Sequence, residues 1–147
     1  MVSVPAMSLD PTTLQFAARD SKDTIEKGLA FAPKFDDHGL IVCVTIDATT
    51  KTPLMVAYMN EESLKRTLAI GEAFYYSRSR KELWHKGATS GQIQKVVEMR
   101  TDCDQDAIVL YVKQMGGGCC HTGADDCFYR KVQTTDLTAG PVPMSRG

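Results

Sequence analysis

A chain of 147 residues, 43% hydrophobic and 24% charged, has the size and make-up of one soluble domain with a core of its own. A formal net charge of −1 excludes attraction to nucleic acid or an acidic membrane through a global field, so a phosphorylated ligand has to be met by local cations. The apolar runs, such as Leu40 to Val44, are far too short to span a bilayer, and Met1 to Pro11 lacks the basic start and apolar run of a secretory signal, which together predict a cytoplasmic chain.

Residues 1–34 read as an N-terminal extension. Within it, Ser21 caps a short helix with Asp23 in its first turn, limited by Gly28 and Pro33. The main domain runs over 35–133. Leu40 to Ile46 is β-branched and apolar, a buried strand, and Leu54 to Met59 is a second. The turn-like Asp47 to Pro53 between them makes a hairpin. Asn60 then caps a helix with Glu61 and Glu62 in its first turn, a stripe of Leu64, Leu68 and Ile70, and Gly71 at its end. Ala73 to Ser77 is a short aromatic strand. Arg78 to Gly91 is basic and glycine-punctuated, a loop with room for one helical turn. Lys95 to Arg100 and Ala107 to Gln114 are strands, the second apolar at nearly every position and therefore expected to be buried on both faces. Cys127 to Gln133 is the last strand, and 134–147 is a tail expected to be loosely ordered. The sum is an α+β domain, mainly antiparallel, with few helices.

Three stretches carry chemistry. The first is Thr101 to Asp106, where Asp102, Asp104 and Asp106 alternate around Cys103. In a strand the three carboxylates would share a face and repel one another. They suit magnesium or calcium, which take oxygen ligands. The later glycine and glutamate of a helix-loop-helix calcium site are missing, and the bland alternative is a solvated acidic loop. A thiol among aspartates favours two neighbouring metals of different hardness.

The second stretch is the cysteines. In a reducing compartment, clustered thiols are more often metal ligands or catalytic groups than disulfides. Cys43 lies in an apolar run and reads as a core thiol. Cys120 and Cys127 flank a turn, and Cys103 lies at the far end of the 107–114 strand. Three thiolates would hold zinc with a fourth position open. A closed site would take Cys119 or His121 as a fourth ligand, and spacing alone does not choose between them. A Cys119–Cys120 redox pair is disfavoured by disulfide geometry.

The third is the basic region, Ser77 to Arg80 with Trp84 to Gly91. Arg78, Arg80 and Lys86 can meet phosphate, glycines let backbone amides approach an anion, and Trp84 can stack on a base or anchor the core.

The segments Trp84 to Gly91, Asp102 to Asp106, Cys120 to Gly123 and Cys127-Phe128, in that order, resemble the phosphoribosyl-AMP cyclohydrolase family of histidine biosynthesis, with Phe74 to Arg80 fitting too. The resemblance covers about Phe35 to Val132. It implies hydrolysis of 1-(5-phosphoribosyl)-AMP at the N1–C6 bond of its adenine ring, in an interlaced homodimer. It implies zinc held by Cys103 of one subunit with Cys120 and Cys127 of the other, and magnesium held by Asp102, Asp104 and Asp106. A water on such a zinc has its pKa lowered to about 7, which suits hydrolysis. His121 is then the candidate general acid/base, with a supporting structural histidine as its alternative. Arg78, Arg80, Lys86, Thr89 and Ser90 would bind the two phosphates, and Trp84 would pack on a base. The departure is Cys119, a doubled cysteine where the family usually has a small residue, in a loop made glycine-rich by Gly116 to Gly118. The competing reading is a non-catalytic zinc module that binds a phosphorylated partner.

Overall fold

The computed structural model describes residues 9–120, 122 and 124–147. Ser21 caps α1 (Lys22–Lys27) through its side-chain oxygen, which accepts the Thr24 amide. The apolar run after Leu40 forms β1 (Ile41–Asp47), whose side chains alternate: Ile41, Cys43 and Thr45 are buried, Val42 and Val44 half-buried. Asp47 Oδ1 accepts the amides of Thr49 and Thr50, each at 2.9 Å, and this turn returns the chain as β2 (Pro53–Met59), antiparallel to β1.

The helix α2 (Glu61–Ile70) starts at the expected residue. Asn60 Oδ1 accepts the Ser63 amide at 2.8 Å, and Ser63 Oγ accepts the Asn60 amide at 2.9 Å. Gly71 ends it with φ 80, a left-handed conformation open to glycine. Its buried face differs from the expected stripe. Ser63, Leu64, Thr67 and Ala69 are buried, whereas Leu68 is 40% exposed. The reason is polar: Thr67 Oγ1 donates to the Ser63 carbonyl and accepts the Phe74 amide, docking the helix onto the next strand by a hydroxyl.

Four more strands complete the main sheet: β3 (Phe74–Ser77), β4 (Glu82–His85), β5 (Gln94–Thr101) and β6 (Ala107–Gln114). The order is β4-β3-β2-β1-β6-β5. All neighbours are antiparallel except β1 and β6, which run parallel, so the sheet is mixed. The chain just before β3 meets the start of β5. Glu72 bridges Lys95, and the Ala73 amide donates to the Gln94 carbonyl at 2.9 Å, so the sheet curls around one core. That core holds Ile41, Met55, Met59, Leu64, Tyr75, Ile108, Leu110 and Val112.

Three further expectations are revised. The 78–91 region contains a strand, because β4 pairs with β3 through aromatic contacts: the Phe74 and His85 rings stack at 4.1 Å. The strand β6 is sealed on one face only, since Val109 and Tyr111 are half-buried between the buried Ile108, Leu110 and Val112. The last strand, β7 (Arg130–Val132), is shorter than expected, and the tail pairs with it as β8 (Met144–Arg146) instead of lying loose. Among the described residues no helix is long and apolar enough to cross a membrane.

Candidate active site

The acidic segment is a turn between β5 and β6, not a strand. The Gln105 amide donates to the Asp102 carbonyl at 3.1 Å, and Gln105 itself has φ 57. This left-handed residue turns the chain so that carboxylate oxygens of Asp102, Asp104 and Asp106 all lie within 4.8 Å of one another, exposed to solvent. Turn geometry, not strand alternation, brings them together. Asp102 Oδ1 accepts the amides of Asp106 and Ala107 at 3.0 and 3.1 Å. Slight burial raises the Asp102 carboxyl, but hydrogen bonds from the Asp106 and Asp104 carboxyls and these amides outweigh it and hold it low. Asp106 is pushed up to about 6, first by the hydrogen bonds it gives Asp102 and Asp104, then by their charge. Three oxygen donors this close, with Asp106 held back from ionising by the other two, fit a hard divalent cation.

The cysteine cluster lies at the other end of β6. Cys119 and Cys120 donate their amides to the carbonyls of Asp125 and Ala124, each at 3.2 Å, and the Cys127 amide donates to the Leu54 carbonyl at 2.7 Å. The loop thereby folds back and is pinned to β2. Thr122 Oγ1 donates to Cys120 Sγ at 3.1 Å, which lowers that thiol, whereas Cys127, exposed as a residue but with its sulfur partly desolvated, is pushed up to about 12 by that desolvation and then by the neighbouring Cys119 and Cys120 charges. Burial also raises Cys119, against the pull of Lys86. Adjacent thiols that repel when ionised suit a soft cation, which reverses the repulsion.

Cys103 stands apart from this cluster. It is exposed in the acidic turn, and β6 between the two sites has eight residues, about 23 Å at the rise of a strand. Within one chain, therefore, Cys103 and the pair Cys120 and Cys127 cannot meet at one ion. His121 lies outside the described residues.

The basic residues split into two groups. Arg78 and Arg80 border an open groove of about 640 Å³ with Tyr58, Tyr76 and Trp84. The Arg78 guanidinium sits 4.1 Å over the Tyr58 ring, and Arg80 is 3.8 Å from Glu82. Lys86 instead is buried and donates to the Cys119 carbonyl at 2.6 Å, with its ammonium 5.5 Å from the Trp84 ring. Thr89 and Ser90 are exposed in the following turn, where Ser90 Oγ accepts the Gln92 amide. This turn packs on the cysteine loop so closely that a side chain at Gly116 would meet the Gly91 carbonyl oxygen at 2.2 Å.

Sequence reading missed the polar support beneath the cysteines. Gln94 is fully buried and its Nε2 donates to Gln114 Oε1 at 2.9 Å and toward Cys119 Sγ at 3.6 Å. His85 Nε2 and Glu72 Oε1 pair at 2.8 Å. A glutamine in a strand carries no signal of burial by itself; only the closure of the sheet at 72–73 and 94–95 encloses it.

The phosphoribosyl-AMP cyclohydrolase family model matches residues 55–129. The chain is similar to the phosphoribosyl-AMP cyclohydrolase of Rhodopseudomonas palustris, with 61% identity over 110 residues, covering 75% of this chain and 73% of the relative. It is similar to that of Bradyrhizobium diazoefficiens, with 60% identity over 112 residues, covering 76% and 79%. It is similar to that of Nitrobacter hamburgensis, with 62% identity over 112 residues, covering 76% of each.

Proposed function

Because the chain belongs to the phosphoribosyl-AMP cyclohydrolase family, we propose that it hydrolyses 1-(5-phosphoribosyl)-AMP, opening the adenine ring at N1–C6 in the third step of histidine biosynthesis. One observation carries the reading: the matched span 55–129 contains every site candidate, from Arg78 to Cys127.

Zinc is proposed at Cys120 and Cys127 of one chain with Cys103 of a second copy, and magnesium at Asp102, Asp104 and Asp106. The length of β6 between the two thiol positions supports sharing across a homodimer. So do exposed apolar residues in need of cover, such as Val97 at 63% and Phe128 at 54%. Zinc supplies Lewis acidity that makes water a usable nucleophile at neutral pH. The remaining work falls to the chain. Arg78 and Arg80, at the edge of the groove, bind phosphate oxygens, and Trp84 in the same groove offers a face to a base. Thr89 and Ser90 add hydroxyls from the exposed turn. Lys86 stays with the cysteine loop, holding the Cys119 carbonyl while keeping a positive charge beside the thiolates. His121, next to Cys120, is proposed to move the proton. The chain is expected to act in the cytoplasm on this small nucleotide.

The test is ring opening followed by ultraviolet absorbance, with zinc-loaded protein, 1-(5-phosphoribosyl)-AMP and excess magnesium. Conversion that a zinc chelator abolishes is the expected result. No conversion by a folded, zinc-containing dimer would overturn the reading and favour a binding module, with Cys119 as the group that closes the metal site. Mixing Cys103→Ala chains with Cys127→Ala chains should restore part of the lost activity, since one site in each mixed dimer keeps all three thiols.

A further inference from the structure

The N-terminal segment reaches the acidic turn, although the family model begins only at residue 55. Gln105 is the junction. It is 5% exposed while Asp102, Asp104 and Asp106 on either side are exposed. Each polar atom of its side chain is bound by the segment: Oε1 accepts the Ala32 amide at 2.8 Å, and Nε2 donates to the Ile25 carbonyl at 3.0 Å. Its own carbonyl accepts the Lys34 amide at 2.7 Å. Arg19 makes the second link, donating Nη2 to the Asp104 carbonyl at 2.9 Å and Nη1 to the Ala32 carbonyl.

These contacts have two features of a built device. First, Arg19 grips backbone oxygens and makes no ion pair with the three carboxylates among the described residues. A positive charge is thereby brought to a crowded acidic turn without occupying any of its carboxylate oxygens. Second, the segment is itself anchored. Phe16 packs edge-on to Phe31 at 5.5 Å and lies 6.2 Å from Phe35, all three against the core, and the Ala17 amide donates to the Phe31 carbonyl at 2.8 Å. The held residue is also the strained one. Gln105 has φ 57, a conformation that a non-glycine residue adopts at a cost, and the cost falls on the turn unless something outside stabilises it. When all three carboxylates are ionised, repulsion between oxygens within 4.8 Å of one another opposes the same turn.

We propose that residues 19–34 form a strap that holds the Asp102–Asp106 turn in its cation-binding shape, with Arg19 and Gln105 as positioning residues. The strap also walls a cavity of about 510 Å³, lined by Ile25 and Phe31 together with Asp102 and Cys103 of the acidic turn. This proposal rests on the assignment of a divalent cation to the acidic turn.

The test uses the full-length protein with Arg19→Ala, Gln105→Gly and Asp104→Asn variants. Gln105→Gly removes the side-chain links yet tolerates the left-handed backbone. Mn²⁺ binding is measured by paramagnetic resonance of the free ion, and amide hydrogen exchange is followed at 104–106 in cation-free protein. Loss of support behind metal ligands weakens binding about 10-fold or more. Arg19→Ala and Gln105→Gly are therefore expected to weaken Mn²⁺ by that order and to speed exchange at 104–106. Turnover should recover at high magnesium. Wild-type Mn²⁺ affinity and exchange in Arg19→Ala and Gln105→Gly, with Asp104→Asn impaired, would overturn the strap alone. Wild-type Mn²⁺ affinity in Asp104→Asn would overturn the cation assignment and the strap's purpose with it.

Discussion

Replacing Tyr75 by phenylalanine removes one oxygen from the middle of the core and is expected to cost about 2–3 kcal/mol of stability. Tyr75, Thr45 and Gln94 are each fully buried. The Gln94 side-chain carbonyl can only accept, so the phenol donates to it, at 2.5 Å. The phenol oxygen is then free to accept from the Thr45 hydroxyl at 2.7 Å, and the Thr45 oxygen faces the Cys43 thiol at 3.8 Å. On its other side Gln94 donates to Gln114, whose own Nε2 donates to the Gln92 and Met115 carbonyls at 3.0 and 3.1 Å. The direction of every bond is set by the ends of this line, and Tyr75 is its only link across the core. Phenylalanine keeps the ring, including its contact with Trp84 at 5.5 Å, but leaves a hydroxyl and an amide oxygen in a dry interior. Two lost bonds at about 1 kcal/mol each, plus the penalty of the orphaned oxygen, give the figure above. For a chain of this length the midpoint temperature should fall by about 4–12 °C. The assay is urea unfolding at one fixed protein concentration, because association would otherwise shift the midpoint. Thr45→Val should cost about 1 kcal/mol alone and much less in the Tyr75→Phe background, since the two share a bond. A Tyr75→Phe loss below about 0.5 kcal/mol at unchanged m value would refute the line of bonds as a source of stability.

Asn60→Ala removes the capping oxygen of α2 and should destabilise by about 1 kcal/mol, whereas Asn60→Asp, which keeps that oxygen and favours the helix dipole, should stay within about 0.5 kcal/mol of wild type; equal losses in a urea melt would count against the cap. Burial pushes the Cys43 thiol up to about 12. Only about one molecule in 10⁴ then carries that thiolate at pH 8, so iodoacetamide should leave Cys43 unlabelled in native protein and label it in urea, as read by peptide mass spectrometry.

Elements whose signals are local are legible in the amino-acid order. Asn60 and Gly71 marked the ends of α2 because capping is settled within four residues of chain, and the β1–β2 hairpin was readable for the same reason. The candidates for the site can be named from the sequence too, since thiols, carboxylates and arginines declare their chemistry wherever they sit. The tertiary structure decided which of them meet. Asp102, Asp104 and Asp106 converge through a left-handed Gln105 that is held by Ala32 and Ile25, residues more than seventy positions away. The pairing of β1 with β6 is parallel, joining residues about sixty-five positions apart, and no short-range pattern encodes that register. Gln94 looks like any surface glutamine until the sheet closes over it. Cys103 and Cys127 look like neighbours in a list of cysteines until β6 stands between them as a rigid, extended strand, because hydrogen-bonded backbone cannot shorten to bring its two ends together.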